Sequence, residues 1–307
     1  MTIDTLDSHR IDVRRQTGRT GAELSGIDLR DADDADIAAL RQALLAHRVV
    51  FLRDQSLDSA AHIRFAERLG SVTLGHPTLP PLTADPEVLK LESQGGTAAN
   101  QWHTDVTFVE RPPTFSILRA VAIPEVGGDT LWANTVAGYE DLPDDLRTLA
   151  DGLRAVHSNA HDYSRLDTSR YKTAFTEEQI EYYKHFAALS YETEHPVVRI
   201  HPETGERALL LGGFAYRLVG HGGLESTDLI RILQSYITRP ENTVRWKWRK
   251  GDVVIWDNRS TQHYATADFS GHRHVQRVTT NGERAVGLDG RESVSLQGDA
   301  SDYYRAA

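Results

Sequence analysis

Two places in the sequence have a histidine followed two residues later by a carboxylate, a spacing that can supply two ligands to one metal ion. They are His103 with Asp105 and His201 with Glu203. The chain has 14 histidines and 44 acidic residues among 307 positions, and at these frequencies chance gives about 2 such pairs. The spacing alone therefore does not identify a site. His201 opens the segment HPETG, whose proline and glycine predict a solvated surface turn.

The residues around His103 favour a metal site. Residues 103–108 have the alternation of a β-strand, on which residues two apart point to the same face. His103 and Asp105 could then bind one ion without distorting the backbone. A second histidine should come from a distant, facing strand, and His263, shortly after a predicted strand at residues 253–256, is the best candidate.

Two histidines and one carboxylate on one face of a metal leave three adjacent positions open, which is typical of non-haem Fe(II) oxygenases. Zinc hydrolases use similar ligands with one open position and a nearby general base. Arg273 and Arg277, four residues apart, favour the oxygenase, because guanidinium groups bind a dicarboxylate cosubstrate and an anionic substrate well. Composition alone would instead predict surface arginines paired with acidic residues.

The elements that would position these residues follow from hydrophobic periodicity. Apolar residues three and four apart predict helices at residues 37–45, 59–69 and 229–237. Buried or alternating apolar runs predict strands at residues 49–52, 115–121, 196–200, 243–248 and 253–256. The turn residues 250–252 predict that the last two strands form a hairpin. This pattern predicts a mainly β fold, a sandwich or barrel decorated by helices.

Composition excludes several classes of protein. Without cysteine there is no disulfide framework, thiolate metal site or cysteine nucleophile. A net charge of -10 without basic blocks argues against nucleic acid or an anionic membrane as the partner. The polar N-terminus lacks the apolar core of a secretory signal, and no apolar run approaches the ~20 residues of a membrane helix. A cytoplasmic protein is expected.

No repeat or linker-like stretch divides the sequence, so residues 1–307 are expected to form a single domain. The polar, tyrosine-rich segment 162–185 predicts either a lid over a site or an exposed connection leading into a surface helix.

Four motifs, in this order, carry a strong resemblance to a known family. They are WHTDVTF at 102–108, GGDTLW at 127–132, EHPVVR at 194–199 and WDNRSTQHYA at 256–265. Together they resemble the taurine/2,4-dichlorophenoxyacetate dioxygenases, which depend on Fe(II) and 2-oxoglutarate, and within them the taurine and alkyl-sulfate branch. The likeness runs from about residue 21 to residue 282.

The resemblance implies a double-stranded β-helix, or cupin-like jelly roll, with helical insertions. It implies that the metal ligands are His103, Asp105 and His263, and that the cofactors are Fe(II), 2-oxoglutarate and O2. It assigns the distal carboxylate of 2-oxoglutarate to Thr130 and Arg273. It places Arg277 near the metal, facing the substrate anion or the inner carboxylate, and makes His76 a contact of that anion. A homo-oligomer, a dimer or tetramer, is the family-level expectation.

Two departures from the taurine enzymes bear on the substrate. Leu79 stands where they carry a tyrosine, and Ala99 stands where they carry an asparagine. Both changes remove polar groups that could hold an amino sulfonate, so a less polar substrate such as an alkyl sulfate ester is predicted. Hydroxylation beside the sulfate or sulfonate group would release an aldehyde with sulfate or sulfite, alongside succinate and CO2. The segment between His263 and Arg277 is one residue shorter than in taurine enzymes.

Two alternatives stay open at this point. An oxygenase of the same family that acts on a carboxylate or a natural-product intermediate would keep the triad and both arginines while changing the pocket around Leu79 and Ala99. A binding module without catalytic activity could also use the same scaffold. Failure to bind Fe(II) would favour the binding module.

Overall fold

The protein is represented by a computed structural model, which describes residues 11–79, 84–95, 99–161 and 188–304. Most of its regular elements are strands, as the sequence predicted. The strands are β1 (Asp12–Arg15), β2 (Ala22–Ser25), β3 (Val49–Leu52), β4 (Leu89–Gly95), β5 (Phe115–Ala122), β6 (Thr130–Asn134), β7 (Arg154–Ser158), β8 (Glu192–Pro196), β9 (Val198–Ile200), β10 (Arg207–Leu209), β11 (Ala215–Leu218), β12 (Thr243–Trp246), β13 (Val253–Asp257), β14 (Thr261–Ala265), β15 (Ser270–Thr279), β16 (Val286–Gly287) and β17 (Val294–Gln297). The α-helices are α1 (Asp34–His47), α2 (Ser59–Leu69), α3 (Thr135–Glu140), α4 (Asp144–Asp151) and α5 (Gly223–Ile237).

The largest sheet has seven strands in the order β1-β2-β3-β13-β5-β15-β4. A second sheet has the order β12-β6-β14, a third β11-β7-β8-β17, and a fourth β10-β9-β16. Among the described strands, β2 and β3 run parallel, and the other pairs are antiparallel. Strands β13 and β15, from the last third of the chain, are therefore each inserted between two strands from its first half.

Strand β3 shows how the core is divided. All four of its residues are buried, and its side chains alternate between two hydrophobic clusters. Val50 and Leu52 pack with α1 and α2, which cover the outer face of the seven-stranded sheet. Val49 and Phe51 point to the inner face. This is the pattern of a strand with both faces covered, which reads in the sequence as an unbroken apolar run.

The inner cluster fills the space between the seven-stranded sheet and β12-β6-β14. Phe51 stacks on Trp246 with ring centroids 4.2 Å apart, and its ring meets Trp132 edge-on at 5.5 Å. Trp256 from β13 packs on Trp132 at 5.7 Å and reaches the ring of His263 at 4.8 Å. The aromatic core therefore forms the floor under one of the predicted metal ligands.

The helix predictions for the described residues are confirmed. Helix α1 begins after Asp33, whose side chain accepts a hydrogen bond from the backbone N–H of Asp36 at 2.9 Å, and acidic residues in its first turn suit the helix dipole. Helix α2 has the predicted bounds. The apolar stripe at 229–237 lies in α5, although Ile232 is exposed. The predicted lid at 162–185 lies outside the described residues.

The predicted hairpin between residues 243–248 and 253–256 is wrong. Strand β12 pairs with β6, whereas β13 lies between β3 and β5 in the other sheet. The connection turns at Gly251, which has a φ of +84° and donates its N–H to the carbonyl of Ala120 at 3.0 Å. Trp246 and Trp248 enter the core between the sheets. The turn therefore carries the chain from one sheet to the other. The single strand predicted at 196–200 is also wrong, because β8 ends at Pro196 and β9 begins at Val198.

Several histidines are buried and structural. His62 donates from Nε2 to the carbonyl of Ile117 at 3.1 Å, and His195 donates from Nε2 to the carbonyl of Thr107 at 2.6 Å. His201 is also fully buried, with Nε2 3.0 Å from Asp257 Oδ2. The prediction of a turn at 201–205 is confirmed, but the prediction that its histidine is solvated is wrong. Pairing with a buried aspartate holds that ring inside.

The buried His195 should make the stability of the chain depend on pH. Burial lowers the pKa of His195 to about 3, whereas an unfolded histidine takes up a proton near pH 6.5. The unfolded state therefore binds more protons in this window, so the stabilising contribution is complete above pH 6.5 and is lost as the pH falls toward 3. Below pH 6, His195→Gln should reduce the dependence of unfolding free energy on pH by about 1.4 kcal/mol per pH unit. Urea unfolding at several pH values, with a chelator present, gives the slope of unfolding free energy against pH for the unmodified chain and for His195→Gln. Equal slopes would contradict the prediction.

Candidate metal centre

The segment that carries His103 and Asp105 connects β4 to β5 and is held against β14. The backbone N–H of His103 donates to the carbonyl of His263 at 3.1 Å, and the reverse bond is 2.8 Å long. The prediction of a strand over 103–108 is wrong, because beyond this single bridge the chain turns. Val106 has a φ of +54°, a left-handed conformation that is strained for a β-branched residue. The turn, not a strand, brings Asp105 beside His103.

The structure brings the three predicted metal ligands together. One ligand atom from each of His103, Asp105 and His263 lies within 4.8 Å of the others, and all three residues are buried. The Nε2 atoms of His103 and His263 are 3.9 and 3.7 Å from Oδ1 of Asp105. The prediction that a facing strand supplies the second histidine is confirmed, because His263 lies on β14 opposite His103.

The hydrogen bonds and charges around the three residues leave their donor atoms ready for a cation. His103 donates from Nδ1 to the carbonyl of Gln101 at 2.7 Å, so its Nε2 carries the lone pair. Burial, together with the charges of His103 and Arg277, lowers the pKa of His263 well below its ordinary value. Burial raises the pKa of Asp105, but Arg277 and the two histidines have a larger effect in the opposite direction. The net result is a pKa lowered to about 2. Two imidazoles and one carboxylate therefore face a common point.

Arg277 lies on β15 and forms an ion pair with Oδ1 of Asp105. Its side chain is almost completely buried. Arg277 therefore lies next to the predicted metal ligands, as the resemblance implied. A buried guanidinium beside the ligand carboxylate can also meet an anion that enters the site.

Arg273 lies on the same strand and the same face, four residues earlier. It donates from Nε to the carbonyl of Gly128 at 3.2 Å. Within the described ranges, no carboxylate lies within 4 Å of its guanidinium, and burial lowers its pKa to about 10. Thr130, two residues after Gly128, is buried and accepts a hydrogen bond from Trp248 Nε1 at 2.9 Å. A buried cation without an anionic partner is a suitable site for a carboxylate ligand.

His76 belongs to a chain of rings that ends at the metal ligands. Its ring lies 6.1 Å from that of Phe108, which meets Phe214 at 5.1 Å. Phe214 in turn meets His103 edge-on at 5.8 Å. These two phenylalanines, whose role the sequence did not indicate, form an apolar wall between His76 and the ligands.

The other two predicted substrate residues lie at the edges of the described ranges. The carbonyl of Ala99 accepts a hydrogen bond from the N–H of Ala265 at 3.0 Å, two residues after His263. Leu79 is partly buried and precedes residues 80–83, which are outside the described part of the chain. Their contribution to a pocket stays a prediction.

A C-terminal segment also reaches the site, which the sequence did not indicate. The 3₁₀ helix Ser301–Tyr303 is tied to the chain near His76, because the carbonyl of Tyr303 accepts from the N–H of Leu74 at 3.0 Å. The Tyr303 side chain is buried, with its hydroxyl 3.4 Å from Thr279 Oγ1. No local pattern predicts the bond between Leu74 and Tyr303, because these residues are more than 200 positions apart.

Most of the chain is similar to known proteins. Residues 12–279 match the model of the "Taurine catabolism dioxygenase TauD, TfdA family". An alkylsulfatase from Acinetobacter baylyi is 50% identical, over 92% of this chain and 89% of that protein. An alpha-ketoglutarate-dependent sulfate ester dioxygenase from Pseudomonas putida is 49% identical, over 92% of this chain and 93% of that protein.

A solved structure is also similar. A taurine dioxygenase from Burkholderia xenovorans superposes with a TM-score of 0.79 at 39% identity, over 97% of this chain and 100% of that one. The predicted fold, a mainly β jelly roll with helical insertions, is thereby confirmed. None of the described helices is both long and apolar enough to cross a bilayer.

Proposed function

The chain belongs to the taurine catabolism dioxygenase TauD, TfdA family, and from this premise we propose that it oxidises alkyl sulfate esters at the carbon that carries the sulfate oxygen. It is a 2-oxoglutarate-dependent non-haem iron dioxygenase, as the sequence predicted. The observation that carries the choice of substrate is the identity of about half of its residues with two sulfate ester enzymes, along nearly their whole length.

The donor set supports iron as the metal. His103, Asp105 and His263 would hold Fe(II), since two imidazoles and one carboxylate on one face are typical of the oxygenases that keep open positions for cosubstrates. The bound iron would supply the activation of O2 that accompanies oxidative decarboxylation of 2-oxoglutarate. The protein residues bind, orient and enclose the reactants.

Arg273 and Thr130 would bind the distal carboxylate of 2-oxoglutarate. Support comes from the burial of Arg273 and from the absence of a carboxylate partner for it within the described ranges. A bidentate contact from a buried guanidinium fixes both the position and the direction of a dicarboxylate. Arg277, four residues after Arg273 on β15, pairs with the ligand Asp105. From there it can meet the inner carboxylate of 2-oxoglutarate or the substrate anion.

His76 and Arg277 would hold the sulfate group, with the alkyl chain against apolar side chains. Phe108 and Phe214 lie between His76 and the metal ligands, which suits a hydrocarbon better than a charged amine. Leu79 and Ala99, which replace polar residues of the taurine enzymes, support the same preference. Holding the anion at one end directs a single C–H bond toward the iron. The hydroxylated carbon then carries both a hydroxyl and a sulfate, and it collapses to an aldehyde and sulfate.

The substrate prediction can be tested by comparing the released anions. We expect sulfate release from hexyl sulfate to exceed sulfite release from taurine by at least about tenfold in kcat/KM, because the apolar wall leaves the taurine ammonium without a partner. Both are measured with Fe(II), ascorbate and 2-oxoglutarate, and succinate is the common control product. A preference for taurine would refute the sulfate ester assignment. A preference for a carboxylic acid would favour the hydroxylase alternative.

Some expectations stay predictions. They are a single domain over residues 1–307, a lid at 162–185, a cytoplasmic location, a homo-oligomer and the absence of nucleic acid or membrane partners.

A further inference from the structure

A chain of hydrogen bonds runs behind the Asp105 carboxylate, on the side away from the two histidines. Trp256 Nε1 lies 3.0 Å from Asn258 Oδ1, and Asn258 Nδ2 lies 2.8 Å from Ser116 Oγ. Ser116 Oγ lies 2.6 Å from Asp105 Oδ2. Trp256, Asn258, Ser116 and Asp105 are all at least 97% buried. We call the first three residues the relay.

Each bond in the relay has only one possible direction. The indole N–H of Trp256 can only donate, so Asn258 must present its oxygen to it. The amide nitrogen of Asn258 then faces Ser116 and donates to Oγ. The single hydroxyl proton of Ser116 is left for Asp105 Oδ2, which as a carboxylate oxygen can only accept. The orientation of the indole therefore fixes the direction of every bond up to the metal ligand.

The relay and Arg277 divide the two carboxylate oxygens between them. Oδ2 accepts from Ser116, whereas Oδ1 faces the two imidazoles and pairs with Arg277. We propose that Ser116 and Asn258 are positioning residues that hold the Asp105 carboxylate so that Oδ1 alone is offered to the iron. This inference rests on the proposed function, because it assumes that the three ligands bind iron.

The position of the carboxylate matters because Arg277 competes for it. A guanidinium binds both oxygens of a carboxylate through its fork of N–H groups. Without the Ser116 hydroxyl, Oδ2 would be free to turn toward Arg277, and the metal would lose its anionic ligand. If both carboxylate oxygens bound iron, the protein would supply four ligands instead of three, and only two of six coordination positions would stay open. The relay opposes both outcomes.

The sheet explains how these residues meet. Strand β5 begins where its two neighbours, β13 and β15, end, and there Ser116 pairs in register with both Trp256 and Thr279. Asn258 follows β13 directly. The relay therefore lies on and directly beside two central strands, and its three residues are buried, which suits a role in holding geometry.

The test compares metal binding in two serine variants. Ser116→Ala removes the hydroxyl of the relay, and Ser260→Ala removes a hydroxyl that is equally buried but has no hydrogen-bond partner in the described structure. We expect Ser116→Ala to weaken the binding of Mn(II), used as a redox-stable probe of the iron site, by about tenfold or more. Ser260→Ala should bind Mn(II) as the unmodified chain does. Calorimetry gives the affinities, and thermal unfolding checks that each variant is folded.

A second variant tests whether the residues act as a unit. Asn258→Asp keeps the size of the side chain but replaces the donor to Ser116 with an acceptor, so the hydroxyl proton can turn away from Asp105. It should weaken Mn(II) binding although Ser116 and Asp105 are unchanged. The double variant should bind Mn(II) no more weakly than Ser116→Ala alone. Additive losses would contradict a relay.

The outcomes separate this inference from the proposed function. If the unmodified chain binds Mn(II) and Ser116→Ala binds it equally well, the relay has no positioning role and the proposed function is unaffected. If the unmodified chain binds no divalent metal, both are refuted.

Discussion

Replacing His263 with alanine is expected to reduce iron-dependent succinate formation to the level measured without iron. His263 supplies one of the two imidazoles that face Oδ1 of Asp105, and a metal held by only two side chains would be bound weakly and in the wrong geometry. The other ring nitrogen, Nδ1, has no hydrogen-bond partner in the described structure. The substitution therefore removes a metal ligand and few other polar contacts.

The measurement is succinate release from 2-oxoglutarate with Fe(II) and ascorbate. His272→Ala is a matched control, because His272 is exposed on β15 and pairs with Glu92 at the surface. We expect this control to keep its activity. Activity of His263→Ala equal to that of the control would remove His263 from the metal site and, with it, the proposed function.

Arg273→Ala is expected to raise the concentration of 2-oxoglutarate needed for half-maximal activity by roughly 30-fold or more. Removing one partner of a buried charge pair costs about 2–5 kcal/mol. In the described part of the chain no carboxylate lies within 4 Å of the buried Arg273 guanidinium, so the proposed cosubstrate would be its direct partner. At saturating 2-oxoglutarate much of the turnover should return, because Arg273 would hold only the distal carboxylate and not the reacting end of the cosubstrate. The readout is the initial rate as a function of 2-oxoglutarate concentration.

Arg245→Ala provides the control for Arg273. Arg245 is about half exposed and already pairs at 2.7 Å with Asp129, the residue after Gly128. Its removal should leave the requirement for 2-oxoglutarate within about twofold of the original. An unchanged requirement in Arg273→Ala would show that another group binds the distal carboxylate, while the assignment of the metal ligands would stand.

The sequence predicted which three residues come together better than it predicted the local structure around them. Residue type limited the possible ligands, and the residues around each histidine separated His103 from His201. The strand assumed for residues 103–108 was wrong because Val106 adopts a left-handed backbone conformation, which β-branched residues seldom adopt in isolation. His103 and Asp105 nevertheless lie close together as predicted, because both a strand and this turn point residues two apart in the same direction.

Contacts between distant residues could not be predicted. The bond from Ser116 to Asp105 depends on the pairing of β5 with β13 and β15, which periodicity does not specify. The burial of His201 depends on Asp257, which is 56 residues later. The strand predictions located β13 correctly but assigned it to the wrong neighbour, since a turn composition shows where the chain bends and not which sheet it enters.

The strand order also constrains the sequence of events during synthesis. In the finished sheet both neighbours of β5 are β13 and β15, which follow it by more than 130 residues. A ribosome-bound chain that has just completed β5 therefore carries an apolar strand with no strand to pair with, a state that favours aggregation. The same delay applies to the metal site, because His263 is made about 160 residues after His103 and Asp105. Iron therefore cannot meet all three proposed ligands until the last sixth of the chain is being made.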